Sequence, residues 1–221
     1  MRRVQVLAAG LLMFAAPLLA QTRTPSAHEV ARLLEERYDR VRDFSADFTH
    51  SYEGGILKKS ATERGTLQIK KPGRMRWEYT SPEHKLFVSD GHKIYSYVPA
   101  DKQVIVSSMP AEDEATTAVL FLVGKGSLTR DFSVKFTDGG TPETWALKLD
   151  PKQRQRDYDW LVLVVDRQSM QIRTLVAAEH EGGRSTFQFT NYRENIGLAD
   201  KIFSFKIPRG VDVINSDSRG R

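Results

Sequence analysis

The side chains that could do chemistry in this 221-residue chain are few and poorly spaced for it. Its five histidines, His28, His50, His84, His92 and His180, are scattered. His84 and His92 flank a hairpin signal and could approach one another as a metal pair, but two exposed strand histidines are ordinary. Glu112, Asp113 and Glu114 could attract a cation, yet acidic residues in the first turn of a helix already have a sufficient electrostatic reason in the helix dipole. No Gly-x-Ser-x-Gly elbow, P-loop, Gly-x-Gly-x-x-Gly or His-Glu-x-x-His occurs. No nucleophile lies at a recognisable spacing from a base, so an enzyme is not expected, nor a cofactor or a metal. The charged residue in an interesting place is Lys71. By the two-residue period of a strand it follows Leu67 and Ile69, so a cation falls at the edge of an apolar surface just before Pro72-Gly73. It can lay its stem over apolar groups and keep its ammonium wet, or act as a latch or ligand contact at a cavity mouth.

The surface it borders is large. Residues 65–71 put Leu67 and Ile69 on one face, and residues 74–79 put Met75, Trp77 and Tyr79 on one face with charges on the other. A filled core and a ligand cavity both fit that pattern. The elements that must position it begin with a helix expected over residues 27–42: Ser26 and Glu29 make a capping box, and Val30, Leu33, Leu34, Arg37 and Val41 recur at helical spacing. From Phe44 the period becomes two, with Phe44, Ala46 and Phe48 alternating against Ser45, Asp47 and Thr49. Short strand signals follow, separated by turn residues at Gly54-Gly55, Pro72-Gly73, Ser81-Pro82, Asp90-Gly91, Gly139-Gly140 and Gly182-Gly183. Asp90-Gly91, between Leu86-Phe87-Val88 and Ile94-Tyr95-Ser96-Tyr97, is the sharpest hairpin signal. Ten or eleven strands are expected, mostly antiparallel because the links are short. Residues 110–124 interrupt the sheet with acidic residues first, an apolar end and then Gly124, predicting a helix from about Glu112, and a second short one over residues 128–131. Sheet sequence on both sides requires these helices to lie across the sheet or its open end.

The N-terminus reads as a secretory signal peptide over residues 1–20: Arg2 and Arg3 precede an apolar stretch from Val6 to Ala16, with cleavage expected after Ala20. Residues 21–221 then form a single domain. The downstream apolar runs, Ala118 to Val123 and Trp160 to Val165, are far shorter than the roughly 20 residues of a spanning helix. No cysteine occurs, so packing and strand pairing must hold the fold without disulfides. The sequence Leu18-Leu19-Ala20-Gln21 also lacks the cysteine that would carry a lipid anchor. Formal charge is +5, two of which leave with Arg2 and Arg3, and basic residues mostly alternate with acidic ones, so nucleic acid is not an expected partner.

Gly65-Thr66-Leu67, the run Lys70-Lys71-Pro72-Gly73-Arg74-Met75-Arg76-Trp77-Glu78-Tyr79 and Leu86-Phe87-Val88-Ser89-Asp90-Gly91 resemble the periplasmic outer-membrane lipoprotein carrier family (LolA). The Phe-Ser-Ala-Asp-Phe-Thr segment at 44–49, the mid-chain apolar segment, Phe203-Ser204-Phe205, Pro208 and Gly210 fall in family order, so the likeness covers nearly the whole chain. It implies a mainly β, α+β fold: an unclosed antiparallel β-barrel of about eleven strands with an α-helical lid over an apolar cavity. It implies a periplasmic chaperone, acting as a monomer, that takes triacylated lipoproteins from an inner-membrane ABC-type transporter and passes them to an outer-membrane lipoprotein receptor. On that implication Leu67, Ile69, Met75, Trp77, Tyr79 and Val88 line the cavity and Leu120, Phe121 and Leu122 belong to the lid, with Lys71 at the mouth. Relatives usually carry Arg-Pro where this chain has Lys71-Pro72, and lysine offers a point charge in place of a planar fork. The same fold as an exported carrier or sensor of another lipid or glycolipid, a lipid hydrolase and a filled structural barrel are the competing readings.

Overall fold

A computed structural model describes residues 23–54, 59–109, 122–123, 126–155, 158–180 and 182–216. The expected signal peptide, residues 1–20, and most of the helix expected after Pro110, with Leu120 and Phe121, lie outside the described residues.

The first described element is α1, Ala27–Asp39, and its start obeys the sequence. Glu29 N–H donates to Ser26 Oγ at 3.2 Å while Ser26 N–H donates to Glu29 Oε2 at 2.7 Å, the reciprocal capping box. The helix ends three residues earlier than the periodicity implied. Arg40 and Val41 N–H close the last turn on Arg37 and Tyr38 carbonyls, and Val41 is then drawn into the core instead of continuing the helix.

Twelve strands follow among the described residues: β1 (Asp43–Gly54), β2 (Lys59–Lys70), β3 (Arg74–Ser81), β4 (Lys85–Asp90), β5 (Lys93–Val98), β6 (Gln103–Ser108), β7 (Phe132–Phe136), β8 (Thr144–Pro151), β9 (Trp160–Asp166), β10 (Ile172–Ala178), β11 (Gly183–Glu194) and β12 (Asp212–Asn215). They make one sheet in the order β12-β6-β5-β4-β3-β2-β1-β11-β10-β9-β8-β7. β12 and β7 are its two ends and do not pair with each other, so the barrel is unclosed. All these pairings are antiparallel except β12 with β6, which run parallel. The twelfth strand exceeds the expected count because its four residues carry almost no alternation. It is placed by the chain returning from β11 through a 3-10 turn, Asp200–Phe203.

The hairpin between β4 and β5 is tight, but its central residues are Gly91 and His92, one position later than the Asp-Gly signal indicates. Gly91 takes a positive φ of +99° there, which favours glycine. Asp90 braces the turn, accepting from His92 and Lys93 N–H at 2.8 Å each.

The two sheet faces bury different cores. The inner face, led by Phe44, Ala46, Phe48, Leu67, Ile69, Met75, Trp77 and Tyr79, packs with Leu147, Leu163 and Phe189 from the far strands and with the apolar stripe of α1, Val30, Ala31, Leu34 and Tyr38. The outer face is covered locally by the 198–206 segment. Leu86, Val88, Val104 and Val106 are buried there with Leu198 and Phe203, and Phe205 packs on Tyr95 and Tyr97 at ring distances of 5.5 and 5.6 Å. The short helix Leu128–Asp131, where the sequence put it, holds α1 from the side: Glu35 accepts from Ser127 Oγ at 2.6 Å and from Thr129 N–H and Oγ1 at 3.1 and 2.8 Å.

Candidate functional site

The candidate site is the inner face beneath α1. β2 and β3 set Leu67 opposite Trp77, Ile69 opposite Met75 and Gly65 opposite Tyr79, so the alternation of two adjacent strands delivers the expected residues to one surface. Leu67 and Ile69 are fully buried and Met75, Trp77 and Tyr79 nearly so. Leu122 is also buried in this cluster, and Val123 beside it accepts from Gly73 N–H at 2.9 Å, fastening that segment to the β2–β3 turn.

Val88 does not join them. In the β3–β4 ladder it stands opposite Arg76, while Phe87 stands opposite Trp77, and residues directly opposite share a face. Val88 therefore belongs to the outer core, and Phe87 is the β4 residue at the site. The run Leu86-Phe87-Val88 carries no alternation of its own; only the register across the Ser81–Lys85 loop decides which member faces inward.

Sequence reasoning also missed the aromatic residues that complete the surface. Phe48 of β1 lies 5.1 Å from Trp77 and 4.8 Å from Tyr79 in edge-on contacts, and Phe187 of β11 lies 5.3 Å from Trp77. Phe87 is 5.7 Å from Tyr79 and Phe189 is 6.1 Å from Trp77. Phe187-Gln188-Phe189 is an alternating signal, but nothing local reveals that β11 pairs with β1.

At one end of this surface sits Lys71. Its Nζ donates to the Tyr38 carbonyl at 2.5 Å and lies 6.0 Å from the Tyr38 ring. A cation is thereby placed on the last turn of α1, where the helix dipole favours it. Burial pulls the Lys71 pKa below the usual lysine range and the nearby Asp39 pulls it back up. A surface cleft of about 590 Å³ opens beside it, lined by Asp39, Arg42, Lys70, Lys71, Pro72 and Asn195 among others. α1 is also pinned by Arg37, whose Nη2 donates to both Glu194 oxygens at 2.7 and 2.6 Å.

At the other end the face turns polar. His50 is opposite Glu63, its Nδ1 3.2 Å from Glu63 Oε2, and Lys85 Nζ lies 2.5 Å from Glu63 Oε1. Burial lowers the His50 pKa, with Glu63 opposing. Because the folded value lies below the unfolded value of about 6.5, the unfolded chain takes up the proton first, so this part of the stability is present above that pH and lost as pH falls through it. Urea midpoints measured from pH 7.5 to 5 are expected to fall more steeply for the natural chain than for His50→Gln; parallel curves would contradict that assignment.

Fold and site define a protein of the open-barrel class, with its most specialised surface an aromatic interior covered by a helix. A solved structure of an uncharacterized conserved protein from Thermus thermophilus shares this fold at a TM-score of 0.53 and 13% identity, over 86% of this chain and 98% of that one. The family follows from sequence. The model described as "Outer membrane lipoprotein carrier protein LolA" matches residues 39–206, and the chain belongs to that family. The chain is 31% identical to the outer-membrane lipoprotein carrier protein of Chromohalobacter salexigens over 90% of this chain and 91% of the relative. It is 27% identical to the protein of the same name from Pseudomonas aeruginosa over 97% and 99%.

Proposed function

We propose that this chain is an exported periplasmic carrier that shelters the acyl chains of lipoproteins between α1 and the inner face of its open barrel. The observation that carries the reading is the interior: Leu67, Ile69, Met75, Trp77, Tyr79, Phe48 and Phe187 form one apolar surface in a sheet whose ends are left unjoined. Family membership and the names of the relatives support lipoproteins as the cargo. The signal-peptide pattern of residues 1–20 supports export, and the lack of a lipid-bearing cysteine after it supports a carrier that moves freely between membranes. The carrier acts without catalysis. It receives triacylated cargo from an ABC-type transporter of the inner membrane and yields it to an outer-membrane receptor.

Burying an acyl chain is worth about 0.8 kcal/mol per methylene, so release of several long chains needs an offset. The stripe of α1, settling back onto the emptied interior, supplies it by recovering apolar contact. In this cycle Lys71 is the latch, holding the C-terminal end of α1 by one charged hydrogen bond. Lys71→Leu is expected to cost the closed state roughly 1 kcal/mol, a factor of about five in the open-to-closed ratio, with the far-ultraviolet circular dichroism unchanged. Tighter binding of an apolar fluorophore by the variant is the predicted readout, and equal binding with unchanged cargo release would contradict the latch. The function itself is tested by displacement: a synthetic triacylated lipopeptide should expel a bound apolar fluorophore stoichiometrically. No fluorophore binding, or none that the lipopeptide displaces, would refute it.

A further inference from the structure

The polar end of the interior is built more carefully than a strand end requires. His50 lies flat on Phe187, with ring centroids 4.1 Å apart and planes 4° apart, and meets Tyr79 edge-on at 6.1 Å. Glu63 is held on both oxygens, by His50 Nδ1 on one and Lys85 Nζ on the other. With Nδ1–H donated to the carboxylate, neutral His50 presents Nε2 as an acceptor. That nitrogen is enclosed and has no hydrogen-bond partner among the described residues. An enclosed, unused acceptor is costly in a folded protein and calls for an explanation. Lys85, whose Nζ lies 5.9 Å from the Tyr79 ring centroid, retains N–H groups beyond the one given to Glu63.

A ligand running over Trp77 and Tyr79 therefore meets an unmet acceptor and a spare donor on either side of Glu63. Glu179 also acts on His50, so two carboxylates stand against one ammonium and an anionic headgroup is disfavoured. An ester offers only an acceptor. A carboxamide offers both an N–H for His50 Nε2 and a carbonyl for Lys85. We infer that His50 and Lys85, braced by Glu63, form a subsite for a carboxamide attached to an acyl chain. This rests on the carrier reading and specifies which part of the cargo the interior recognises.

The test uses the mature chain with two probes of equal chain length, N-methylpalmitamide and methyl palmitate, competing against an apolar fluorophore. The natural chain is expected to prefer the amide by roughly three- to tenfold, the worth of one hydrogen bond. His50→Phe keeps the stacked ring and should erase that preference while leaving the ester unchanged. Lys85→Met keeps the stem and should weaken both probes, which gives an independent arm should His50→Phe fail to fold. A preference that survives His50→Phe, an affinity for both probes that survives Lys85→Met, or no preference in the natural chain overturns the subsite and leaves the carrier standing. Failure of both probes to bind the natural chain overturns the carrier reading and the subsite together.

Discussion

Trp77→Ala is expected to lower unfolding stability by about 3–5 kcal/mol and at the same time to enlarge the stabilisation that an acyl ligand confers. Trp77 is almost fully buried and its ring packs against Phe48, Phe187 and Phe189 from two other strands. Truncation removes that apolar area and leaves a void whose walls cannot all collapse, since β1, β3 and β11 are fixed by their ladders. In a filled structural barrel the loss would be simple. In a chamber that admits acyl chains, a ligand fills the void, so the shift in melting temperature produced by a saturating fatty-acyl probe should exceed that of the natural chain. Urea titration gives the first quantity and thermal melts with and without probe give the second. A variant that loses the stability but shows no greater ligand shift would contradict a ligand-accessible interior at Trp77.

Gly65→Val is expected to cost at least about 3 kcal/mol, for a different reason. A Cβ at residue 65 would lie 2.0 Å from the Glu78 carbonyl oxygen and 2.7 Å from the Phe48 ring carbon Cζ. The first neighbour is the backbone of β3, which cannot step aside without breaking its pairing with β2. Glycine is what lets the Phe48 ring cross β2 and reach both Trp77 and Tyr79, so the substitution disturbs the interior as well as the sheet. Gly65→Ala already introduces the clash and should be nearly as damaging. An alanine variant with the urea midpoint of the natural chain would show that the strands are not held this closely.

What could be read from the sequence was whatever is decided within one element. The capping box at Ser26 and Glu29 set the start of α1, and the alternation Met75, Trp77, Tyr79 set the buried face of β3, because a strand has only two faces and charges occupy the other. What escaped was decided between elements. Val88 and Phe87 exchange faces according to the register of β4 against β3, and β12 has a place only because the chain returns to β6. The grouping of His50, Glu63 and Lys85 could not be seen either. Glu63 is separated from its two partners by 13 and 22 residues, and it takes the β1–β2 register together with the β2–β3 and β3–β4 pairings to bring the three together. The hairpin at Asp90 shows an intermediate case: the turn was legible, but Asp90 serves it through its carboxylate and leaves the central positions to Gly91 and His92.

The carrier reading meets its most direct test in a release assay. Bacterial spheroplasts with labelled lipoproteins are incubated with and without purified residues 21–221 and then sedimented. Labelled lipoproteins bound to this chain should appear in the supernatant only when it is present, and Trp77→Ala should change the amount carried. Lipoproteins that stay with the membrane when the folded chain is added would contradict a lipoprotein carrier.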